Sequence, residues 1–571
     1  MEAVMILNTK KIPMEMQKRF GDIYPSMLPF KNESIGDYLL HSYSDKDYIF
    51  MVSNQDQAPD EKVKILKKED QTYELYLNEQ ESATLLKAAQ NALKQIIPLL
   101  GEDFSLTINF GDTIIADKEN DASKNYLMTS QKEQLAPWTS VLREENQLVF
   151  SNKHASSDQK DGEVVAGVFG FVSGKKFYEA CERISERDTD ETTDDSLSFY
   201  HAIKYYDQNY ENVTLQHTES WLDLGHESEY LETKKIVKAR FFNAITIDDE
   251  RGILTKSSEE RQKLINEIQW YLKMPPSLQY LTPRIYDYTL DPEKPEVKME
   301  YYPYETLHTL YIYAHLTINE WEKIIEKLLF VRKEMSDCSE APCLELEEKD
   351  LLDIYFKKTM DRLQLLLQDT AFQPFYEQAP EINGTSYLPL KEIIENLESV
   401  LNRYQLVTSK SAHVIHGDFC LSNILLDRES NLVKLIDPRG QFGSFDIYGD
   451  ESYDMAKILH SFEGSYDHII TDHFNLNEES ALNYSYAFEK TELQERIAEL
   501  VNQKVAENYA IEKVRLIEGL LFLSMIPLHA DYPKRQKVMF GQAMKLLKPY
   551  FESLNDLEKE RKKTNATNKV Y

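Results

Sequence analysis

The stretch "HVIHGDFCLSNILLDRESNLVKLIDPRG", residues 413–440, sets three polar side chains among short apolar runs. Asp418 is followed after four residues by Asn423, and the β-like run "LVKLID" then delivers Asp437 at its end. One Asp at a strand end is most simply a turn or cap residue. Three such groups in this order ask for more, and two further charges upstream extend the pattern. Lys256 lies at the end of "GILTK", a short β-like run, and Glu267 lies in the amphipathic segment "SEERQKLINEIQWYLKMP" that follows.

This is the spacing of a catalytic loop feeding a metal-binding strand in kinases. There a first Asp positions a hydroxyl and accepts its proton, and an Asn and a later Asp hold the metal. Hard oxygen ligands suit Mg²⁺, which bridges the phosphates of ATP and neutralises charge developing in transfer. On this reading Asp418 is the catalytic residue and Asn423 and Asp437 are metal ligands. Lys256 and Glu267 are the pair that holds the nucleotide, and "VKMEYYP" (297–303) is the hinge between a small and a helical lobe. His416 braces the loop rather than moving protons, and Cys420 is a small filler.

"HGDFCLSNILL…LIDPRG" resembles the aminoglycoside phosphotransferase and choline kinase group of small-molecule kinases, over roughly residues 236–550. "YGDESYDMAKILHS" (448–461) is similar to the Asp-rich helix start that follows in that group. The resemblance implies an α+β, bilobal, protein-kinase-like fold and an alcohol group as acceptor. Arg439, where the choline branch has its cation-caging segment, would repel an ammonium substrate. It either contacts a phosphate or carboxylate on the acceptor or pairs with Asp446 or Asp450.

Residues 1–233 have another texture. Short β-like runs ("DYIFMVS", "SLTINF", "DTIIA") alternate with amphipathic segments such as "ATLLKAAQNALKQIIPLL" (83–100), which predicts an α/β, Rossmann-like domain on a mainly parallel sheet. "TINFGDTII" puts Asp112 just after a strand, and "EVVAGVFGFVSGKKFYEA" (163–180) reads as strand then helix. "WLDLGHESEYLETKK" (221–235) puts Asp223 at another strand end. In this order the pieces resemble sugar-nucleotide pyrophosphorylases and nucleotidyltransferases, in which two such carboxylates grip one Mg²⁺. The resemblance implies a second nucleoside triphosphate or a nucleotide sugar as ligand. The family's Gly-rich, Arg-bearing loop is replaced by "MILNTKKIPMEMQKRFG", where Lys10, Lys11, Lys18 or Arg19 are the available cations.

At 571 residues the chain exceeds one core. The expected domains are 1–233 (nucleotidyltransferase-like), 234–305 (kinase-like small lobe), 306–556 (kinase-like helical lobe) and a basic disordered tail, 557–571. Polar stretches 154–163 and 184–195 read as surface loops. A net charge of −32 repels polyphosphate backbones and argues against nucleic acid as a partner, leaving small-molecule substrates and nucleotides. No run is long and apolar enough to span a bilayer, no secretory signal is visible, and four cysteines suit a reducing, cytoplasmic setting. The expected function is an ATP- and Mg²⁺-dependent kinase of a sugar or polyol-type hydroxyl. It is fused to a domain that activates the product as a nucleotide sugar, as in capsule or surface polysaccharide precursor synthesis. Two alternatives stand: a choline or ethanolamine kinase coupled to a cytidylyltransferase, and an N-terminal half that binds nucleotide without turnover.

Overall fold

The computed structural model describes residues 1–31, 33–57, 65–67, 71–116, 121–132, 138–152, 163–187, 197–237 and 243–568. The chain divides into two compact units, Met1–Lys238 with Tyr313–His315, and Ala239–Ile312 with Leu316–Tyr571.

In the first unit, strands Tyr48–Asn54, Glu2–Asn8 and Ser105–Phe110 run parallel side by side, with Thr72–Leu77 parallel on the outer flank. The helix Leu85–Leu100 crosses between two of them. Thr84 caps it by accepting from the Lys87 amide, and Gly101 at φ 81° ends it. Its Leu86, Ala89, Leu93, Ile96 and Leu100 recur at helical spacing and bury against Met5, Phe50 and Ile108 of the sheet. Each such buried Leu or Ile stabilises the unit by about 1.5–3 kcal/mol.

The expected mainly parallel sheet is corrected to a mixed one. Beyond Ser105–Phe110 the sheet continues with Glu163–Phe171, antiparallel to it, and Glu163–Phe171 in turn carries the antiparallel Tyr126–Ser130 and Ser140–Glu144. A parallel neighbour needs a crossover, and no helix occurs among the described residues from 113 to 171, so these strands meet as antiparallel partners. Glu163–Phe171 shifts register between Val165 and Phe169, around Gly167 at φ 77°. A Cβ there would meet Thr113 Oγ1 at 2.7 Å, so glycine is required. Most of the polar stretches expected as surface loops lie outside the described residues, although 184–187 complete the helix Gly174–Arg187.

The second unit has a small lobe built on a four-stranded antiparallel sheet. Its order is Asn243–Asp248, Ile253–Ser258, Glu296–Glu300, Ile285–Thr289, and the helix Arg261–Lys273 follows the second strand in sequence. Strand Glu305–Thr306 pairs with Ile424–Asp427, which forms a hairpin with Leu432–Leu435. Helices including Ile318–Ser336, Glu451–Phe462 and Ile511–Met525 belong to the helical part of this unit, around buried Trp321, Phe462, Leu459, Ile517 and Phe522. The helix Pro533–Asn568 runs through the segment expected to be a disordered tail. Its Leu, Glu, Lys and Arg are strong helix formers, and no glycine or proline follows Pro549. No helix among the described residues is long and apolar enough to cross a membrane.

Candidate active site

Lys256 stands in the strand Ile253–Ser258 and Glu267 in the helix Arg261–Lys273, each nearly closed to solvent. Lys256 Nζ donates to Glu267 Oε1 at 2.9 Å and Oε2 at 2.8 Å, and to Asp437 Oδ1 at 2.5 Å. Burial pushes the Glu267 carboxyl up to about 7 against the pull of Lys256. The same burial acts against the Lys256 charge, but the two carboxylates outweigh it and hold its pKa above the ordinary value. Asp437 sits at φ 54°, a left-handed backbone rare for a residue other than glycine and a form of strain concentrated at functional sites. Tyr271 of the same helix accepts from the Asp437 amide at 3.1 Å.

Asp418 and Asn423 lie in the loop between Lys410–Val414 and Ile424–Asp427. Asn423 Nδ2 donates to Asp418 Oδ2 and to the Asp418 carbonyl, both at 3.0 Å, which turns the amide oxygen away from the aspartate. The other carboxylate oxygen, Oδ1, meets Lys457 Nζ at 2.8 Å. Burial would raise the Asp418 pKa, but Lys457, then His416 and Arg439, hold it far below the usual range. The backbone is fixed from beneath. Asp454 accepts from the amides of His416 and Gly417, each at 2.8 Å, and is itself bonded by Arg332 at 3.0 Å. Arg332 and Asp454 are fully buried, and Arg332 also donates to the Val414 carbonyl at 2.7 Å. Gly417 takes φ 76°, and a Cβ on it would strike Arg439 Cβ at 2.7 Å. His416 is buried, bonds the Ile436 carbonyl at 3.0 Å and packs edge-on against Trp270, whose indole donates to the Ile415 carbonyl at 2.7 Å.

Sequence reasoning placed Lys256, Glu267, Asp418, Asn423 and Asp437, and the fold gathers them. It missed Lys457, Asp454 and Arg332. Two signals pointed to the first two, the resemblance of "YGDESYDMAKILHS" to the Asp-rich helix start and the i, i+3 pair Asp454 and Lys457 within it, which shares one helix face. Arg439 follows neither ion pair considered for it. Asp446 is bonded by Lys273 and Asp450 by Lys410 at 2.9 Å, while Arg439 donates to the Tyr453 hydroxyl at 2.8 Å. Cys420 is buried, and burial pushes its thiol up to about 12.

The residues fit Mg²⁺ and ATP. Mg²⁺ is ordinarily held by one or two protein oxygens with substrate phosphates and water completing its shell. The Asp437 carboxylate and the Asn423 amide oxygen are donors of that kind, although Lys256 already bonds Asp437 Oδ1 and the Ser422 hydroxyl donates to Asn423 Oδ1 at 3.2 Å, and no cluster of three or more acidic, His or Cys ligands occurs among the described residues.

In the first unit, Asp112 and Asp223 are brought side by side, since Thr113–Ile115 pairs antiparallel with Trp221–Asp223, Thr113 opposite Asp223. Asp112 lies against Gly225, where a Cβ would meet its Oδ2 at 2.3 Å. Asp223 is buried and its oxygens are engaged. Oδ1 accepts from the Gly225 amide at 2.9 Å, and Oδ2 takes bonds from Trp138 Nε1 at 2.5 Å and His226 Nδ1 at 2.6 Å. Burial works against its charge, but these bonds hold its pKa below the ordinary value. A carboxylate so engaged is a poor fit for a metal, and no step through one is derived in this unit. Of the nearby cations, Lys11 pairs with Asp22 at 2.5 Å and Arg19 with Glu227 at 2.9 Å.

No family model and no curated protein matches the chain. Solved structures of two kinds are similar to it, each over a different part. A nucleoside-diphosphate-sugar pyrophosphorylase from Vibrio cholerae is 14% identical over 41% of this chain and 99% of its own, with a TM-score of 0.31. The CTP:phosphocholine cytidylyltransferase of Streptococcus pneumoniae is 9% identical over 42% of this chain and 98% of its own, TM-score 0.32. A thermostable mutant of the aminoglycoside phosphotransferase APH(4)-Ia is 11% identical over 56% of this chain and 97% of its own, TM-score 0.34.

Proposed function

We propose that residues 234–556 transfer the γ-phosphoryl group of ATP to a hydroxyl of a small sugar or polyol-type acceptor. The observation that carries this is the buried lysine Lys256, bonded at once to Glu267 on the small-lobe helix and to Asp437 beside the catalytic loop. A strand lysine held by a helix glutamate and a metal-binding aspartate is the part-set that phosphoryl transfer demands.

Lys256 is the cation for the nucleotide phosphates. Asn423 and Asp437 would hold Mg²⁺, which when bound supplies charge neutralisation on the phosphates. Asp418 orients the acceptor hydroxyl. As its oxygen bonds to the γ-phosphorus, the bond to the leaving ADP oxygen breaks and the hydroxyl proton passes to the Asp418 carboxylate. A carboxylate held so far below its usual range is a weak base. The role suits a loose transition state in which orientation matters more than early proton removal. Asp418→Asn in the full chain is expected to lower turnover by roughly 10²–10⁴-fold while ATP still binds. Near-full turnover in that variant refutes the assignment.

For residues 1–233 we propose a site for a nucleoside triphosphate or nucleotide sugar at the carboxyl ends of the parallel strands, beside Asp112, where such sheets bind ligands. Joined to a kinase, it fits hydroxyl phosphorylation followed by nucleotide activation of the product, in surface polysaccharide precursor synthesis. The choline-type alternative is disfavoured by the cations beside Asp418, which repel an ammonium acceptor.

A further inference from the structure

Around Tyr453, in the helix Glu451–Phe462, three cations from three separate elements converge next to Asp418. Lys358 Nζ donates to the Tyr453 hydroxyl at 3.1 Å and Arg439 Nη1 to the same oxygen at 2.8 Å. Lys457, one turn beyond Tyr453, holds Asp418 Oδ1 at 2.8 Å. Each is placed by its own backbone feature. A π-helical turn, Asp353–Lys357, runs directly into Lys358, and such turns are concentrated at functional sites. Arg439 packs on the left-handed Gly417. Lys457 shares a helix face with Tyr453.

The cluster is short of counter-charge. The carboxylate bonded to it, Asp418, already holds Lys457, while the nearby Asp450 is taken by Lys410 and the Tyr355 hydroxyl. The strain shows in the neighbours. Burial, then Arg439 and Lys457, push the Lys358 ammonium below its ordinary range. Burial would raise the Tyr453 phenol, yet the three cations bring it down to about 8. Gathering like charges is costly in any protein, and it is more pointed in a chain of net charge −32.

The cluster also has a side. Asn423, the metal-side residue, bonds Asp418 Oδ2, and Lys457 bonds Oδ1, so the aspartate lies between the two groups. Lys358 also lines an open groove with Asp353, Lys357, Asp361 and Arg362.

Resting on the kinase reading above, we propose that the acceptor is an anion: a hydroxyl compound whose carboxylate or phosphate ester is bound by Lys358, Arg439 and Lys457 while Asp418 orients its hydroxyl. The test offers the full chain ATP, Mg²⁺ and matched sets of acceptors, and follows ADP release and product mass. Each set holds a neutral sugar or polyol, its carboxylate, its phosphate monoester and its amine. Turnover is expected with the carboxylate or the phosphate ester, and the better of the two names the anion. Lys358→Met should raise KM for that acceptor about 10–100-fold, as loss of one charged hydrogen bond implies, with no matching rise in KM for ATP. Lys358→Arg should recover part of it. Preference for neutral or amine members, or an unchanged acceptor KM in Lys358→Met, overturns the anionic acceptor and leaves the kinase standing. No ADP release above the acceptor-free level with any member overturns the kinase reading and this inference with it.

Discussion

Lys256→Met removes the ammonium that Glu267 and Asp437 share, and the structure sets how much that should cost. Glu267 is 4% exposed and would be left facing a second carboxylate with no cation. Removing one partner of a buried ion pair typically costs about 3–5 kcal/mol. Glu267 has one relief, which is to take up a proton. From its ordinary value of 4.5, protonation costs about 3.4 kcal/mol at pH 7 and about 1.4 kcal/mol near pH 5.5, at about 1.4 kcal/mol per pH unit. The sign follows from the direction of the shift. The folded variant binds a proton that the unfolded chain does not, so its stability recovers as the pH falls. The expected destabilisation is therefore about 3 kcal/mol at pH 7, and the unfolding free energy of the variant should itself rise by about 2 kcal/mol between pH 7 and pH 5.5. Lys256→Met with Glu267→Gln should restore most of the loss and remove its pH dependence, yet leave phosphoryl transfer abolished. Urea unfolding of the full chain at the two pH values, beside an ADP-release assay, reads both quantities. An unfolding free energy of Lys256→Met that does not rise as the pH falls, or no recovery in the double variant, would refute the claim that Lys256 and Glu267 hold each other.

Three further outcomes are expected. Asp437→Asn, chosen because asparagine tolerates the left-handed backbone at φ 54°, should raise the Mg²⁺ needed for half-maximal turnover. Asn423→Ala should do the same, each by at least the roughly 10–100-fold that loss of an outer-shell partner costs; an unchanged Mg²⁺ titration in both places the ligands elsewhere. Buried His468 is lowered from 6.5 to about 4 by burial, then by Lys490. Its contribution is intact above pH 6.5 and is lost as the pH falls through about 4, up to about 3 kcal/mol; His468→Phe should flatten unfolding free energy against pH over that window, and an unchanged slope counts against it. A nucleoside triphosphate or nucleotide sugar should raise a melting transition of the full chain that Asp112→Ala no longer shifts; persistence of the shift in the folded variant removes Asp112 from the site.

The sequence was legible where spacing alone constrains chemistry. The intervals between Asp418, Asn423 and Asp437 lie within one loop and hairpin, and Lys256 and Glu267 are one strand and one helix turn apart, so local periodicity suffices to set them near each other. Lys457, Asp454 and Arg332 were hidden for the opposite reason. Each is a charge on an amphipathic helix, where a charged residue usually faces water, and only the packing of Ile318–Ser336 and Glu451–Phe462 under the loop turns them inward. Arg439 misled in the same way, because nearby carboxylates in sequence were taken by Lys273 and Lys410 from elsewhere. In the first unit the strands themselves were readable, but strand direction was not. The runs at 126–130, 140–144 and 163–171 fit strands of either direction, and only the lack of a helix among the described residues there dictates antiparallel pairing.

The buried Arg332–Asp454 pair bears on how this protein is made. The amides of His416 and Gly417 find their acceptor 38 and 37 residues further along the chain, on a helix that does not exist while the loop is leaving the ribosome. Until Asp454 has been synthesised and docked onto Arg332, the amides of His416 and Gly417 lack this acceptor. The nascent chain would therefore display its small lobe, with Lys256 and Glu267 in place, well before it could split ATP. On the kinase reading, competence for phosphoryl transfer would then be expected only once Arg332 and Asp454 have closed beneath the loop.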